Sequence, residues 1–273
     1  MEARKSAEVS IDTVQLKSAL LGRVVRVDFY LPANMDEDTD PVLLLINDGQ
    51  DLVAMGFSKL LEQLYSVETI SPMLCVGIHA GTDRVNEYGV SAITDHEGRG
   101  NKAGYYEQFI LSELLPFISG RFHLYQLKQK AFAGFSLGGL SAMDIVWNNP
   151  DVFSKAGLFS GAFWWRLRDK NDKNYNQYTD RIMQNQVRKG QYAPNLKFFF
   201  QCGELDEMED RNRNGVIDSI DDTIDLMREL VAKGYREGKN IFYLQMPDGK
   251  HEVLSWGKAM PVFLKWGWGT VHD

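Results

Sequence analysis

Short, almost wholly apolar runs bounded by turn residues alternate along the chain with longer segments in which apolar residues recur every three or four positions. The short runs are VVRVDFYL (24–31), PVLLLIN (41–47), MLCVGIH (73–79), KAFAGF (130–135), KAGLFS (155–160), LKFFFQC (196–202) and NIFYLQM (240–246). A strand buried on both faces reads as a continuous apolar run, whereas a half-solvated strand alternates. The periodic segments 57–65, 105–118, 137–148, 220–233 and 256–266 read as helices; in the fourth, Ile220, Ile224, Met227, Leu230 and Val231 share one face. Strand, helix, strand repeated in this way predicts an α/β fold, a mostly parallel central sheet with helices on both faces. The earliest strands, which precede the alternation, are expected to pair antiparallel at one edge.

No repeat, low-complexity tract or Pro/Gly/Ser linker divides the chain. Residues 21–268 are therefore expected as one domain, with 1–20 an N-terminal arm or edge segment. Two polar, irregular stretches interrupt the pattern, 81–104 and 164–180. Both are longer than ordinary α/β connections, and both follow strands, so they would emerge at the carboxyl ends where such sheets bind ligands.

Composition narrows the chemistry. The 273 residues carry 30 Lys+Arg against 37 Asp+Glu, a net charge of −7. Ten acidic and three basic side chains fall within 203–229, so that one stretch holds the whole excess. An acidic chain with no Lys/Arg run is not a nucleic-acid binder. Cys75 and Cys202 lie in apolar runs and read as buried free thiols, not a disulfide framework. There is no apolar signal segment and no 18-residue apolar run, so neither a leader nor a membrane span is expected, and the default compartment is the cytoplasm.

Gly134, Ser136 and Gly138 form GxSxG directly after a strand and directly before a helix. Small flanking residues let strand and helix approach while the serine hydroxyl stands exposed at a strained turn. A serine hydroxyl is a weak nucleophile and needs a histidine base backed by a carboxylate. With this elbow the acid and then the histidine follow the serine in the chain. Of five histidines, His79, His96 and His123 precede Ser136 and His272 is penultimate, which leaves His251. The acid should leave the preceding strand, in GELDEMED: Asp206, with Glu204 and Glu207 as alternatives. Two backbone amides should form an oxyanion hole, one from Leu137 and one from the turn Asp48-Gly49-Gln50, with Gln50 favoured.

These residues resemble a known group, the esterase family of α/β-hydrolases that includes enterochelin, feruloyl and acetyl-xylan esterases, S-formylglutathione hydrolase and mycolyl transferases. The strings LLINDGQDL, VGIHAGTDRVNEY, YYEQFILSELLPFI, AGFSLGGLSAM, NPDVFSKAGLFSGAFWW and KHEVLSWGKAMPVFLKW are similar to its successive blocks, from about residue 20 to 268. The resemblance implies an α/β-hydrolase fold, Ser136 as nucleophile, His251 as base, Asp206 as acid and the Asp48–Gln50 turn at the oxyanion site. It leaves the ester open. Phe163, Trp164 and Trp165 are candidates for an acyl or aryl wall, while Arg84, Glu87, Tyr88 and residues 95–99, including Arg99, are candidate polar contacts.

A second motif follows the acid. DRNRNGVIDSID has calcium-loop spacing: Asp210, Asn212 and Asn214 at positions 1, 3 and 5, Gly215 at 6, the Val216 carbonyl at 7, Asp218 at 9 and Asp221 at 12. Alternate residues of such a turn can supply the six to eight oxygens calcium takes. A bound ion would be structural, since the ester chemistry needs no cofactor. The reading is a serine carboxylic-ester hydrolase acting on a small-molecule, siderophore or carbohydrate-linked ester. An acyltransferase using the same residues and a catalytically silent, calcium-stabilised binding module are its competitors.

Overall fold

A computed structural model describes residues 7–33, 42–124, 127 and 129–270. His272, residues 1–6 of the expected arm and Pro41 of the second apolar run lie outside them. In chain order the elements are β1 Val9–Ser18, β2 Arg23–Pro32, β3 Val42–Asn47, α1 Asp51–Met55, α2 Phe57–Ser66, β4 Leu74–Ile78, α3 Arg84–Glu87, α4 Ala103–Phe109, a π-helical turn Ile110–Leu114, α5 Leu115–Phe122 and β5 Gln129–Phe135. There follow α6 Leu137–Asn148, β6 Lys155–Phe159, α7 Gln177–Asp180, α8 Ile182–Lys189, β7 Lys197–Leu205, α9 Asp218–Lys233, β8 Ile241–Lys250 and α10 Val253–Trp268.

One eight-stranded sheet has the order β1-β2-β4-β3-β5-β6-β7-β8. The pairs β1/β2 and β2/β4 are antiparallel and the remaining neighbours are parallel. The expected antiparallel edge is thus β1 and β2, and β1 lies within the segment read as an arm or edge.

The continuous apolar runs conceal a period of two, because helices cover both faces. Leu43, Leu45, Leu74, Val76, Phe198 and Phe200 belong to the core beneath α4, α5, α6, α8 and α9. Leu44, Ile46, Cys75 and Phe199 belong to the opposite core, beneath α2 and α10. Burial on both sides removes the polar positions that would reveal which face a residue takes.

The helix expected over 105–118 is divided by the π turn at Ile110–Leu114. Pro116 stands at the start of α5; it has no N–H to donate and its ring crowds the carbonyl four residues back, so the regular ladder cannot pass through it. Among the described residues no helix is long and apolar enough to cross a membrane.

Packing between sheet and α10 is tightest at Gly157, where a Cβ would lie 2.6–3.0 Å from ring atoms of Phe263. Phe263 is itself fully buried, so the ring cannot swing away. Gly157→Ala is therefore expected to cost about 1–3 kcal/mol by overpacking, read as a lower melting temperature and a lower urea midpoint with unchanged m-value. An unchanged midpoint would show that the strand can shift to make room.

Candidate active site

Ser136 is the single residue between β5 and α6, with φ 54° and ψ −122°. That backbone is unfavourable for any residue with a Cβ, by of order 1–3 kcal/mol, and persists only where the surroundings enforce it. Here strand and helix backbones touch: a Cβ on Gly134 would lie 2.2 Å from the Gly138 carbonyl oxygen. The Ser136 carbonyl accepts the amides of Gly139, Leu140 and Ala162 at 3.0, 3.2 and 3.0 Å. The Leu137 amide, first in the helix, has no acceptor among the described residues, as expected of a first-turn N–H at a positive helix end.

The turn after β3 is tied to this elbow. Asp48 has φ 58°. Gly49 backs onto β4 so closely that a Cβ would lie 2.5 Å from the Gly77 carbonyl carbon. Asn47 donates from Nδ2 to the Gly138 carbonyl at 2.9 Å, and Tyr106 donates its hydroxyl to Asn47 Oδ1 at 2.6 Å. Arg84 donates twice to the Asp48 carboxylate, at 2.6 and 2.7 Å, and reaches the Phe135 carbonyl at 3.4 Å. The Gln50 side chain donates to Asp48 and accepts from the Ala80 amide, while the Gln50 backbone amide, like that of Leu137, has no acceptor among the described residues. Two backbone amides, one from each side of the joint, are thus without an acceptor among the described residues.

Asp206 directly follows β7 and His251 directly follows β8, at the same carboxyl edge of the sheet as Ser136. Asp206 Oδ2 accepts the Gly203 amide at 3.1 Å, and its buried Oδ1 has no hydrogen-bond partner. Burial pushes the Asp206 carboxyl above its usual range, against the Gly203 amide, the Ser160 hydroxyl and attraction from His251. His251 is moved the other way: burial lowers it below 6.5, Asp206 opposes, and Arg84 lowers it further. The alternatives to Asp206 are engaged elsewhere. Glu204 accepts from Gln245, and Glu207 accepts the Ser219 amide in the first turn of α9. Among the described residues no hydrogen bond joins Ser136, His251 and Asp206; in hydrolases such bonds often tighten only with substrate.

Two residues that sequence reasoning did not single out, Trp256 and Ser160, organise the site together with Asp48 of the turn after β3. Trp256, in the first turn of α10, stacks on Phe135 at 5.1 Å, meets the His251 ring edge-on at 5.3 Å and donates its Nε1 hydrogen to Ser160 Oγ at 3.0 Å. Ser160, at φ 44°, stands at the end of β6 and is almost fully buried. Asp48 anchors the turn through Arg84. Asp48 was expected only as part of the oxyanion turn and Ser160 was visible only as a strand end; nothing in the sequence marks Trp256.

The proposed substrate contacts divide. Tyr88 is buried, and its hydroxyl accepts the Asp48 amide at 3.3 Å. Phe163 and Trp165 are also core residues, Trp165 lying against Gly89 and Gly100 of the 81–104 stretch. Glu87 is buried in a paired contact with Arg23. Trp164 is only partly buried, and Arg99, bonded to Asp95, lies 5.2 Å over both Trp164 and Trp165.

The 210–221 loop was expected to gather calcium ligands. Asp210 accepts the amides of Asn214 and Gly215 at 3.1 and 2.9 Å, and Gly215 has φ 84°. Asn212 and Asn214 converge on Asp221, their terminal amides 2.7 and 2.9 Å from its Oδ2. Asp218 is turned away: it begins α9, accepts the Arg211 amide at 2.8 Å and lies 3.4 Å from the Arg211 guanidinium. Among the described residues no three His, Cys, Asp or Glu side chains form a metal-sized group. Positions 3, 5 and 12 therefore come together, two of them through asparagines, while position 1 holds the loop backbone and position 9 is held by Arg211.

The opposing charges on His251 give a direct test. In NMR titration the His251 imidazole should show an apparent pKa below 6.5. Arg84→Met, which removes a repelling cation, should raise it, and Asp206→Asn, which removes an attracting anion, should lower it further. A titration indifferent to both substitutions would contradict this geometry.

Comparison with known proteins agrees with the architecture. A family model described as "Putative esterase" matches residues 18–266. Over 146 residues, 51% of this chain and 58% of the relative, it is 26% identical to "Uncharacterized protein YbbA" of Bacillus subtilis (strain 168). Among solved structures, an enterochelin esterase from Shigella flexneri superposes with a TM-score of 0.72 at 20% identity, covering 97% of this chain. This chain spans only 60% of that enzyme's length. A ferulic acid esterase superposes with a TM-score of 0.67 at 18% identity, covering 95% of this chain and 97% of its own. With an eight-stranded, mostly parallel sheet covered on both faces and the family match over nearly its whole length, the chain belongs to the "Putative esterase" family and has the α/β-hydrolase fold.

Proposed function

We propose that the protein hydrolyses small carboxylic esters through an acyl-enzyme on Ser136. The observation that carries this reading is the strained turn at Ser136, held by the Gly134–Gly138 backbone contact beside two amides with no acceptor among the described residues. His251, its pKa lowered by burial and by Arg84 against the pull of Asp206, is favoured in its neutral form and suited to accept the Ser136 proton. The Ser136 oxygen attacks the ester carbonyl, and the Leu137 and Gln50 amides hold the oxyanion. Asp206, with one buried carboxylate oxygen free of hydrogen bonds, stabilises the imidazolium that forms. His251 returns the proton to the leaving alcohol. Water, deprotonated in turn, releases the acid.

The 210–221 loop belongs to this reading as a calcium-binding brace. Asparagine amides present nitrogen or oxygen equally well after a half-turn, so Asn212 and Asn214 can offer Oδ1 to an ion shared with Asp210, Asp221 and the Val216 carbonyl. Asp218, committed to Arg211, takes no part. The loop leads from Asp206 into α9, so an ion there stiffens the strand end that carries the acid without entering the chemistry.

Ser136→Ala should reduce turnover of 4-nitrophenyl acetate by at least about 10³-fold with unchanged circular dichroism, and should abolish labelling by a fluorophosphonate. Retained turnover would overturn the mechanism. Absence of labelling in the wild-type protein would favour a silent binding module, and ester products formed with added alcohols would favour acyl transfer. Calcium near millimolar should raise the melting temperature by a few degrees, EDTA should reverse the rise, and Asp221→Ala should remove it. A melting temperature indifferent to calcium would dismiss the ion.

A further inference from the structure

Among the described residues, the deeply buried guanidiniums of Arg181 and Arg211 both have carboxylates. Arg181 pairs with Asp222 and Asp225, and Arg211 with Asp218 and Asp222. The partly buried Arg188 bonds Glu229, and even the half-exposed Arg168 bonds Asp180. Arg166 is different. It is 7% exposed, no carboxylate among the described residues lies within ion-pairing distance, and its buried Nη1 has no hydrogen-bond partner. An uncompensated buried charge is among the costliest features a fold can hold, and such departures from local rules concentrate at functional sites.

Arg166 is not a loose side chain. Its Nε donates to the Trp164 carbonyl at 2.7 Å, its own carbonyl accepts the His96 amide at 2.9 Å, and its backbone bridges to Arg181. The guanidinium is therefore fixed where the two irregular stretches 81–104 and 164–180 meet. It lies 5.8 Å from the ring centroid of Tyr175, whose buried hydroxyl also lacks a partner. Burial pushes the Tyr175 phenol up, opposed by Arg166, Arg181 and Arg211, with Asp222 acting the other way. Arg181 and Arg211 are already engaged by carboxylates. Asp169, which also feels Arg166, is on the open surface. The local surplus is one cation and two unsatisfied donors.

A short chain path leads from there to the nucleophile. Ala162 donates its amide to the Ser136 carbonyl at 3.0 Å, and Trp165 donates to the Ala162 carbonyl at 3.2 Å. We infer that Arg166 Nη1 and the Tyr175 hydroxyl form a subsite for a carboxylate carried by the substrate, so that the preferred esters are anionic ones whose charged group reaches the junction of the two loops. A planar carboxylate can accept one hydrogen from each donor and supplies the missing counter-charge. Both donor atoms are closed off from solvent, so recognition requires the junction of the two loops to open. The inference rests on the esterase reading of Ser136 and adds the substrate class.

The test compares kcat/KM for mono-4-nitrophenyl adipate, which bears a carboxylate, with that for uncharged 4-nitrophenyl hexanoate. In Arg166→Gln the adipate-to-hexanoate ratio should fall by about 10–100-fold, the loss of one charge-assisted hydrogen bond, with most of the change in KM. Arg166→Lys should recover part of it, and the wild-type preference should weaken with rising salt. Tyr175→Phe, on a half-buried loop residue, should lower the ratio in the same direction and serves if Arg166→Gln does not fold. The ratio does not depend on the fraction of active enzyme, so a merely structural Arg166 would reduce both activities and leave it unchanged. An unchanged ratio in both variants would overturn the subsite. Failure of the wild-type protein to hydrolyse hexanoate at all would count against the esterase reading instead.

Discussion

The close approach of β5 to α6 is the contact on which the rest of the site depends. Backbone meets backbone at Gly134 and Gly138 because neither has a Cβ, and the chain between them has no low-energy way to turn from strand to helix in one residue. Ser136 absorbs the difference by adopting φ 54°. The same contact leaves the Leu137 amide at the open end of the helix and sets where α6 begins. Asn47 then fastens the neighbouring strand end to the Gly138 carbonyl, so the nucleophile turn and the Asp48–Gln50 turn behave as one joint.

Around that joint the structure uses aromatic packing and paired charge to orient groups that differ widely in exposure. Trp256 touches Phe135 on the nucleophile strand, Ser160 beside Asp206, and His251. One side chain of α10 thus connects three strand ends. Arg84 has two effects with one charge: it neutralises Asp48 in the turn after β3 and depresses the His251 pKa. A cation near a general base favours its neutral form, and the paired carboxylate limits how far that repulsion extends.

The acidity of residues 203–229 also acquires structure. Asp218, Asp222 and Asp225 are not a solvated face but the partners of Arg181 and Arg211, arginines from two segments that precede α9 in the chain. Arg166 stands next to this network without a share in it.

Much of this was legible in the sequence, and the physical reasons are specific. Period and apolar runs located every strand from β2 to β8, because burial leaves a signature in composition that no partner can erase. GxSxG between strand and helix marked Ser136, because the turn tolerates few other residues, and chain order isolated His251. The line failed where identity does not encode direction. Tyr88, Phe163 and Trp165 read equally well as pocket wall or core, and only the packed sheet sends them inward. Asp206, Glu204 and Glu207 are equivalent as letters, and what separates them is that two have other partners in space. Trp256 and Arg166 carry no motif; their importance lies in contacts between segments far apart in the chain. The sequence determined the elements and the strained serine turn, since these rest on local sterics and periodicity. Which side chains face one another, and which buried charge is left without a partner, was decided by tertiary packing alone, because those are properties of pairs of segments and not of any one of them.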